Sequence, residues 1–182
     1  MKSKLIKGNI VEFPDFRGEN IYMIPFKIVD GLPDSLSRWN KTIGTMLNGI
    51  ETDDIICLTI HQSAVKKGKK QRREGRHIDC GYKLITRGHI PVPPTHGISS
   101  IGGGVILASS HIGCKAWEGD IKGQAKLFGD CDHLDVRGTT ETTLQSNTCY
   151  LGNGTMLHEA ISAAENQNRT FVRLSMPKSF AA

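Results

Sequence analysis

No stretch of this 182-residue chain is long and apolar enough to span a bilayer as a helix. No secretory leader opens it either: Met1–Gly8 is basic, but no long apolar run follows. The chain also lacks any Cys-x-x-Cys pair, which argues against a zinc ribbon and against a thioredoxin-like redox motif. Its five cysteines, Cys57, Cys80, Cys114, Cys131 and Cys149, are odd in number, so a disulfide framework is not expected. A reducing, cytoplasmic setting and no membrane partner follow as expectations. Cys80 reads as a small buried hydrophobe. The run Gly102-Gly103-Gly104 has no Lys-Ser/Thr after it and no helical pattern, so it is no phosphate-binding fingerprint. It reads as a turn into a strand beginning at Val105. There is no internal repeat and no linker, which leaves a single domain over residues 1–182.

Short apolar runs separated by Gly, Asn and Asp turns predict a mainly β fold. Strands are expected at Ile21–Phe26, Ile55–His61, Arg76–Tyr82, Val105–Ser109, Cys114–Gly119, Cys149–Leu151 and Thr170–Met176. One helix is expected over Asp34–Asn48, with Asp34 as N-cap after Pro33 and Gly49 as its stop. Leu36, Trp39, Ile43, Met46 and Leu47 form its apolar stripe. Residues 1–54 would thus support a core at 55–177. Pro91-Val92-Pro93-Pro94, flanked by His89 and His96, reads as an extended loop. Trp117 reads as core or rim.

Charge is concentrated in one place. Residues 66–76, KKGKKQRREGR, hold seven Lys/Arg and one Glu, a local +6, so the rest of the chain nets −1 against an overall +5. Lys66, Lys67, Lys69, Lys70, Arg72 and Arg73 are candidate phosphate contacts for DNA, RNA or a nucleotide. The same run also reads as a solvated connection between two strands. It is poor in aromatics, so it would meet backbone phosphate and not stack on bases.

That basic run ends beside Arg76-His77-Ile78-Asp79. Residues i and i+2 share a strand face, so His77 and Asp79 would point the same way. Far along the chain stands Leu157-His158-Glu159. Fourteen residues separate His158 from Arg173-Leu174-Ser175. Two imidazoles and a carboxylate are the ligand set of a mononuclear non-haem Fe(II) centre with open positions. In Phe171–Met176 the apolar Val172, Leu174 and Met176 share one face and Arg173 and Ser175 the other, placed to hold a carboxylate. His133-Leu134-Asp135 is a second His-x-Asp. It stands only 22 residues before His158, against 78 for Asp79, which leaves room for roughly two strands. It reads as part of a turn-rich loop over Gly129–His133. Arg169 follows His158 by eleven residues but reads as part of the turn between the last two strands.

His77-x-Asp79, His158 and Arg173-x-Ser175 together resemble the Fe(II)/2-oxoglutarate-dependent dioxygenases. The spacing is nearest to the AlkB and TET/JBP branches, whose members oxidise nucleobases. His77–Tyr82, Gly102–Ser109 and Leu157–Glu159 look like small phage-type members of that superfamily. The resemblance covers roughly residues 55–177. It implies a double-stranded β-helix (jelly roll) with one or two supporting helices. It also implies His77, Asp79 and His158 as Fe(II) ligands, and Arg173 and Ser175 on 2-oxoglutarate as cosubstrate. O2 would be the oxidant, and a C–H bond of a nucleobase or nucleotide would be hydroxylated. Two other classes remain open at this point: a cupin-like metal-dependent hydrolase or isomerase, and a non-catalytic nucleic-acid-binding module built on the 66–76 run.

Overall fold

The computed structural model describes residues 1–79 and 101–180, and it is mainly β. Its strands are β1 (Lys2–Ser3), β2 (Leu5–Ile10), β3 (Asn20–Phe26), β4 (Ile56–Val65), β5 (Ile101–Ser109), β6 (Cys114–Asp120), β7 (Thr140–Thr143), β8 (Thr148–Asn153), β9 (Leu157–Ala160) and β10 (Gln167–Pro177). One antiparallel sheet runs in the order β2-β8-β5-β10-β4-β3. The other is built on β6, which pairs antiparallel with β7, β9 and β1. Two isolated antiparallel bridges continue it, His77 with His158 and His77 with Asp130.

Alternation along β10 organises the interior. Val172, Leu174 and Met176, all fully buried, turn toward Leu58, Ile60, Ile106 and Ala108, and toward Trp39, Ile43 and Met46. The opposite row, Arg169, Phe171, Arg173 and Ser175, turns toward the smaller sheet. Between the sheets Phe171 packs with Val105, Leu107, Tyr150, Cys114, Ala116, Leu144 and Met156. A third cluster joins Ile78, Trp117, Ile121, Cys131, Leu134 and Leu157. Ile78, 2% exposed, fixes the direction of its neighbours. Turning His77 and Asp79 to the other face would expose it, at roughly 1.5–3 kcal/mol for a side chain of this size.

The helical segment is two pieces, a 3-10 helix at Asp34–Trp39 and α1 at Asn40–Met46. The N-cap position is Pro33 and no side chain caps it, so Asp34 lies in the first turn and is not the cap. The expected stripe does face the core, with Trp39, Ile43, Met46 and Leu47 buried and Leu36 against them. Gly49, φ 79°, follows the helix in the left-handed region. Trp117 is core.

Three sequence expectations need correction. Arg76–Tyr82 is no continuous strand within the described part: His77 makes only bridges, and Cys80, Gly81 and Tyr82 lie outside the described residues, as do His89, Pro91–Pro94 and His96. Gly102–Gly104 is no turn but part of β5, where an absent Cβ permits close backbone approach. Arg169 is not in a turn. It lies in β10 opposite Ser63, because the strand begins at Gln167. The short strands β1, β2, β7 and β9 carried no apolar run strong enough to mark them.

Two glycine replacements test this packing by urea denaturation. A Cβ on Gly103 would come within 1.8 Å of the Pro177 carbonyl oxygen, a backbone atom that cannot swing aside. Gly103→Ala is expected to lose about 1–3 kcal/mol, the usual cost of overpacking. Gly44 lies inside α1 and a Cβ there meets nothing within 4 Å. Gly44→Ala is expected to gain about 0.5–1 kcal/mol. Equal effects would contradict the register of β5 against β10.

Candidate metal centre

His77 and His158 come together through the backbone. The His77 amide donates to the His158 carbonyl at 2.9 Å, and the His158 amide donates back to His77 at 3.0 Å. His158 is held from the other side by β6, where it pairs with Ala116. The loop after β6 holds His77: the Ile78 amide donates to Gly129, and the Cys131 amide to Arg76. Asp132 Oδ1 accepts from the Arg76 amide at 2.6 Å.

Each imidazole is oriented by a carbonyl two residues before it. His77 Nδ1–H donates to Gly75 O at 2.8 Å, and His158 Nδ1–H to Met156 O at 3.1 Å. A carbonyl can only accept, so the proton sits on Nδ1 and the Nε2 lone pair of each ring is left for a ligand. The ring centroids are 4.3 Å apart. His158 Nε2 stands 3.6 Å from Asp79 Oδ2, and one donor atom from each of His77, Asp79 and His158 lies within 4.8 Å of the others. Both histidines are buried and Asp79 is half-buried. This triad can hold a metal ion.

The electrostatics favour that state. Burial, followed by the charge of neighbouring His158, pushes the His77 imidazole down to about 4, so it is neutral and ligand-competent at neutral pH. Burial alone would raise the Asp79 carboxyl. Arg173, then His158 and His77, hold it instead well below the usual carboxylate range. Arg173 Nη1 makes a 2.9 Å ion pair with Asp79 Oδ2.

Arg173 and Ser175 do share the inner face, both buried, and both meet the Met23 thioether, at 3.9 and 3.7 Å. Met23 comes from an irregularity in β3, with φ 53°. The basic segment divides. Lys66, Lys67, Lys69 and Arg73 are exposed. Lys70 pairs with Glu159 at 3.5 Å, next to His158. Arg72 turns inward and lies over the Phe171 ring, 5.0 Å from its centroid. Gln71 Nε2 ties the segment to β4 and β10 through His61 O, Ser63 Oγ and Arg169 O. The run is therefore docked on the large sheet along its middle. His133 stands apart from the triad, with Nε2 3.2 Å from Gln124 O and Nδ1 3.8 Å from Asp130.

A cavity of about 100 Å³ opens beside the triad, lined also by Arg72, Arg169, Arg173, Phe171, Leu107, Gly113 and Cys114. The sequence reading missed Arg169 as a cavity residue, although its spacing from Phe171, Arg173 and Ser175 places all four on one strand face. Gly113 and Cys114 carried no signal. Burial pushes the Cys114 thiol up to about 12, which keeps it protonated and unreactive. Among the described residues no helix is long and apolar enough to cross a membrane.

No protein family, curated protein or solved structure matches this chain.

Removal of one ligand should cost more than the 10–100-fold that outer partners of a metal site usually carry. His77→Ala and His158→Ala are each expected to weaken Co(II) or Fe(II) binding by more than about 100-fold, while His133→Ala leaves it unchanged. Anaerobic calorimetry reads the affinity, and circular dichroism checks that the sheets persist. Loss of metal in His133→Ala with retention in His158→Ala would refute the triad.

Proposed function

We propose that this chain is an Fe(II)- and 2-oxoglutarate-dependent dioxygenase that hydroxylates a C–H bond of a nucleobase or nucleotide. The observation that carries this reading is the pair of imidazoles tied through Nδ1 to Gly75 and Met156, with both Nε2 atoms beside the Asp79 carboxylate in one buried corner. Two histidines and one carboxylate suit iron that must keep open positions. A second support is topological. Counting the His77 bridge as a strand, the chain from β4 to β10 fills two sheets of four, with β4, β5, β8 and β10 in one and the His77 segment, β6, β7 and β9 in the other. Eight strands distributed so between two sheets fit a jelly roll, the fold the resemblance implies.

In this reading bound iron supplies O2 activation, with 2-oxoglutarate consumed to succinate and CO2 as one oxygen atom enters the substrate. The chain supplies the rest. His77, Asp79 and His158 hold the ion on one side. Arg173, which pairs with Asp79, would hold the distal carboxylate of the 2-oxo acid. Ser175 adds a hydroxyl beside it. Leu107, Phe171 and Ala160 keep the cavity apolar between its charged points. Lys66, Lys67, Lys69 and Arg73, exposed on the same segment that sends Arg72 into the cavity, meet substrate phosphate.

The Arg173–Asp79 ion pair also favours a second reading, a metal-dependent hydrolase or isomerase in which this arginine tunes the ligand carboxylate and no 2-oxo acid binds. One experiment separates the two. Fe(II) is added anaerobically, followed by 2-oxoglutarate. The dioxygenase reading expects a visible metal-to-ligand charge-transfer band, and slow release of succinate on admitting O2. Neither signal would appear in a hydrolase or isomerase, and their joint absence removes the dioxygenase reading.

Two substitution series refine it. Arg173→Ala is expected to weaken 2-oxoglutarate binding by about 2–5 kcal/mol, as for a buried charge pair losing one partner. Ser175→Ala should lose about 0.5–1.5 kcal/mol, one neutral hydrogen bond. Iron affinity read by calorimetry should hold in both. Replacing Lys66, Lys67 and Lys69 by Gln should flatten the slope of log affinity against log salt for a polynucleotide, because fewer counterions are released. An unchanged slope would make those lysines bystanders.

A further inference from the structure

We propose that Arg72 and Arg169 form an oxyanion site in the metal-centre cavity, and that it takes a carboxylate or phosphate group of the substrate. The site adjoins the Arg173–Asp79 pair, whose charges both reach Arg72. Arg169 and Arg173 stand on the same face of β10 with Phe171 between them, and Arg72 overhangs that ring.

Arg169 carries most of the weight. It is 1% exposed, yet only its Nε has a hydrogen-bond partner of its own, Ser109 Oγ at 2.7 Å. Its Nη2 is buried with no partner. No carboxylate among the described residues pairs with it, and the sequence of residues 80–100 contains no Asp or Glu. Asp79, the only carboxylate among the described residues lining the cavity, is engaged by Arg173. A buried cation without an anion is among the most costly arrangements a fold can hold. Here the cost is aggravated, because Arg72 adds a second positive charge close enough to disfavour the first. Arg169 is pushed down to about 10, by burial first and with Arg72 contributing. Nothing in the packing calls for a guanidinium there. The guanidinium lies close against Gly113, where an added Cβ would fall 2.2 Å from its Nη1 and one of the two would have to shift.

Two guanidiniums facing one space, one of them with unused donors, is the arrangement that binds an oxyanion. The volume limits its size. A cavity of about 100 Å³ holds a phosphate or a small carboxylic acid. The proposal depends on the dioxygenase reading only for placing this group beside the reacting centre. Anion binding itself needs no metal.

That independence sets the test. The full chain, treated with a chelator, is titrated with inorganic phosphate and separately with acetate at low ionic strength, and melting temperature and calorimetric affinity are read. Phosphate or acetate should raise the melting temperature. Arg169→Met and Arg72→Gln should each weaken that anion at least tenfold, and Arg173→Gln should weaken it less than either. Arg169→Met should melt no lower than the parent in anion-free buffer, since it removes an uncompensated buried charge. A purely structural arginine would give the reverse: a lower melting temperature with the anion response intact. That result overturns the proposal, as does the absence of any anion response in the parent. If Arg169→Met does not fold, Arg72→Gln decides alone. The remaining source of an oxyanion is the cosubstrate. If, with Fe(II) bound, Arg169→Met loses 2-oxoglutarate tenfold and Arg173→Gln does not, the site serves the cosubstrate and the substrate assignment fails. A protein that binds phosphate through Arg169 yet yields no succinate would leave this site standing and remove the dioxygenase reading.

Discussion

Everything at the candidate metal centre depends on one reciprocal pair of backbone hydrogen bonds, those between His77 and His158. They join segments 81 positions apart in the chain. Loop closure over such a distance is unfavourable, though it grows only slowly with length. It is offset by what the pair brings together: Ile78 and Leu157 enter one apolar cluster, and the two imidazoles converge on the cavity side. Because the pairing is antiparallel and residue by residue, it sets the height of both rings at once. A shift of one position would put Ile78 or Leu157 where an imidazole stands. The ligand geometry is therefore fixed by strand register, and the register is fixed by apolar burial on the far side.

Charge is the second constraint. The cavity wall carries several arginines against a single carboxylate among the described residues. Arg173 neutralises Asp79 and with it holds the carboxyl ionised, the form that binds metal. Arg169 has no such counterpart among the described residues, and its Nη2 is buried without a partner. A buried cation left without an anion lowers stability, a pattern expected at sites where function and stability compete. Lys70, in contrast, finds Glu159. The same basic run thus contributes two internally paired cations, Lys70 with Glu159 and Arg76 with Asp132, one inward guanidinium and several solvent-exposed charges.

How far the sequence disclosed this can be followed residue by residue. His77, Asp79 and His158 were legible because their spacing obeys the two-residue period of strands and because His-x-Asp and a distant His leave room for the intervening strands. Arg173 and Ser175 were legible for the same reason. Arg169 obeys that period too, but the polar Gln167-Asn168 ahead of it looks like a turn. Only the partner residues on β4, Val65, Ala64 and Ser63, show that pairing continues there. The triple glycine looked like a turn because composition records flexibility and not the backbone that a missing Cβ allows close. The inward turn of Arg72 depends on Gln71 finding three acceptors on two strands. No local pattern encodes such a contact. The short strands β1 and β7 escaped because they are edge elements with polar sequences, held by pairing and not by an apolar face.

β10 shows why the site and the core cannot be varied separately. It is buried on both faces from Arg169 to Pro177. Its even-numbered row, Val172 to Met176, belongs to the core under the helix, and its odd-numbered row, Arg169 to Arg173, lines the cavity. Val172, Leu174 and Met176, each fully buried, act as the reference that sets where the two guanidiniums stand. A slip of one residue against β4 or β5 would carry the whole apolar row into the cavity and both arginines into the hydrocarbon core. The free-energy penalty of such a slip is the sum over every side chain exchanged, since each apolar residue is worth roughly 1.5–3 kcal/mol of burial and each buried cation more. A strand with chemistry on one face thus gains its positional accuracy from the apolar residues on the other, without any contact between those residues and the ligands they position.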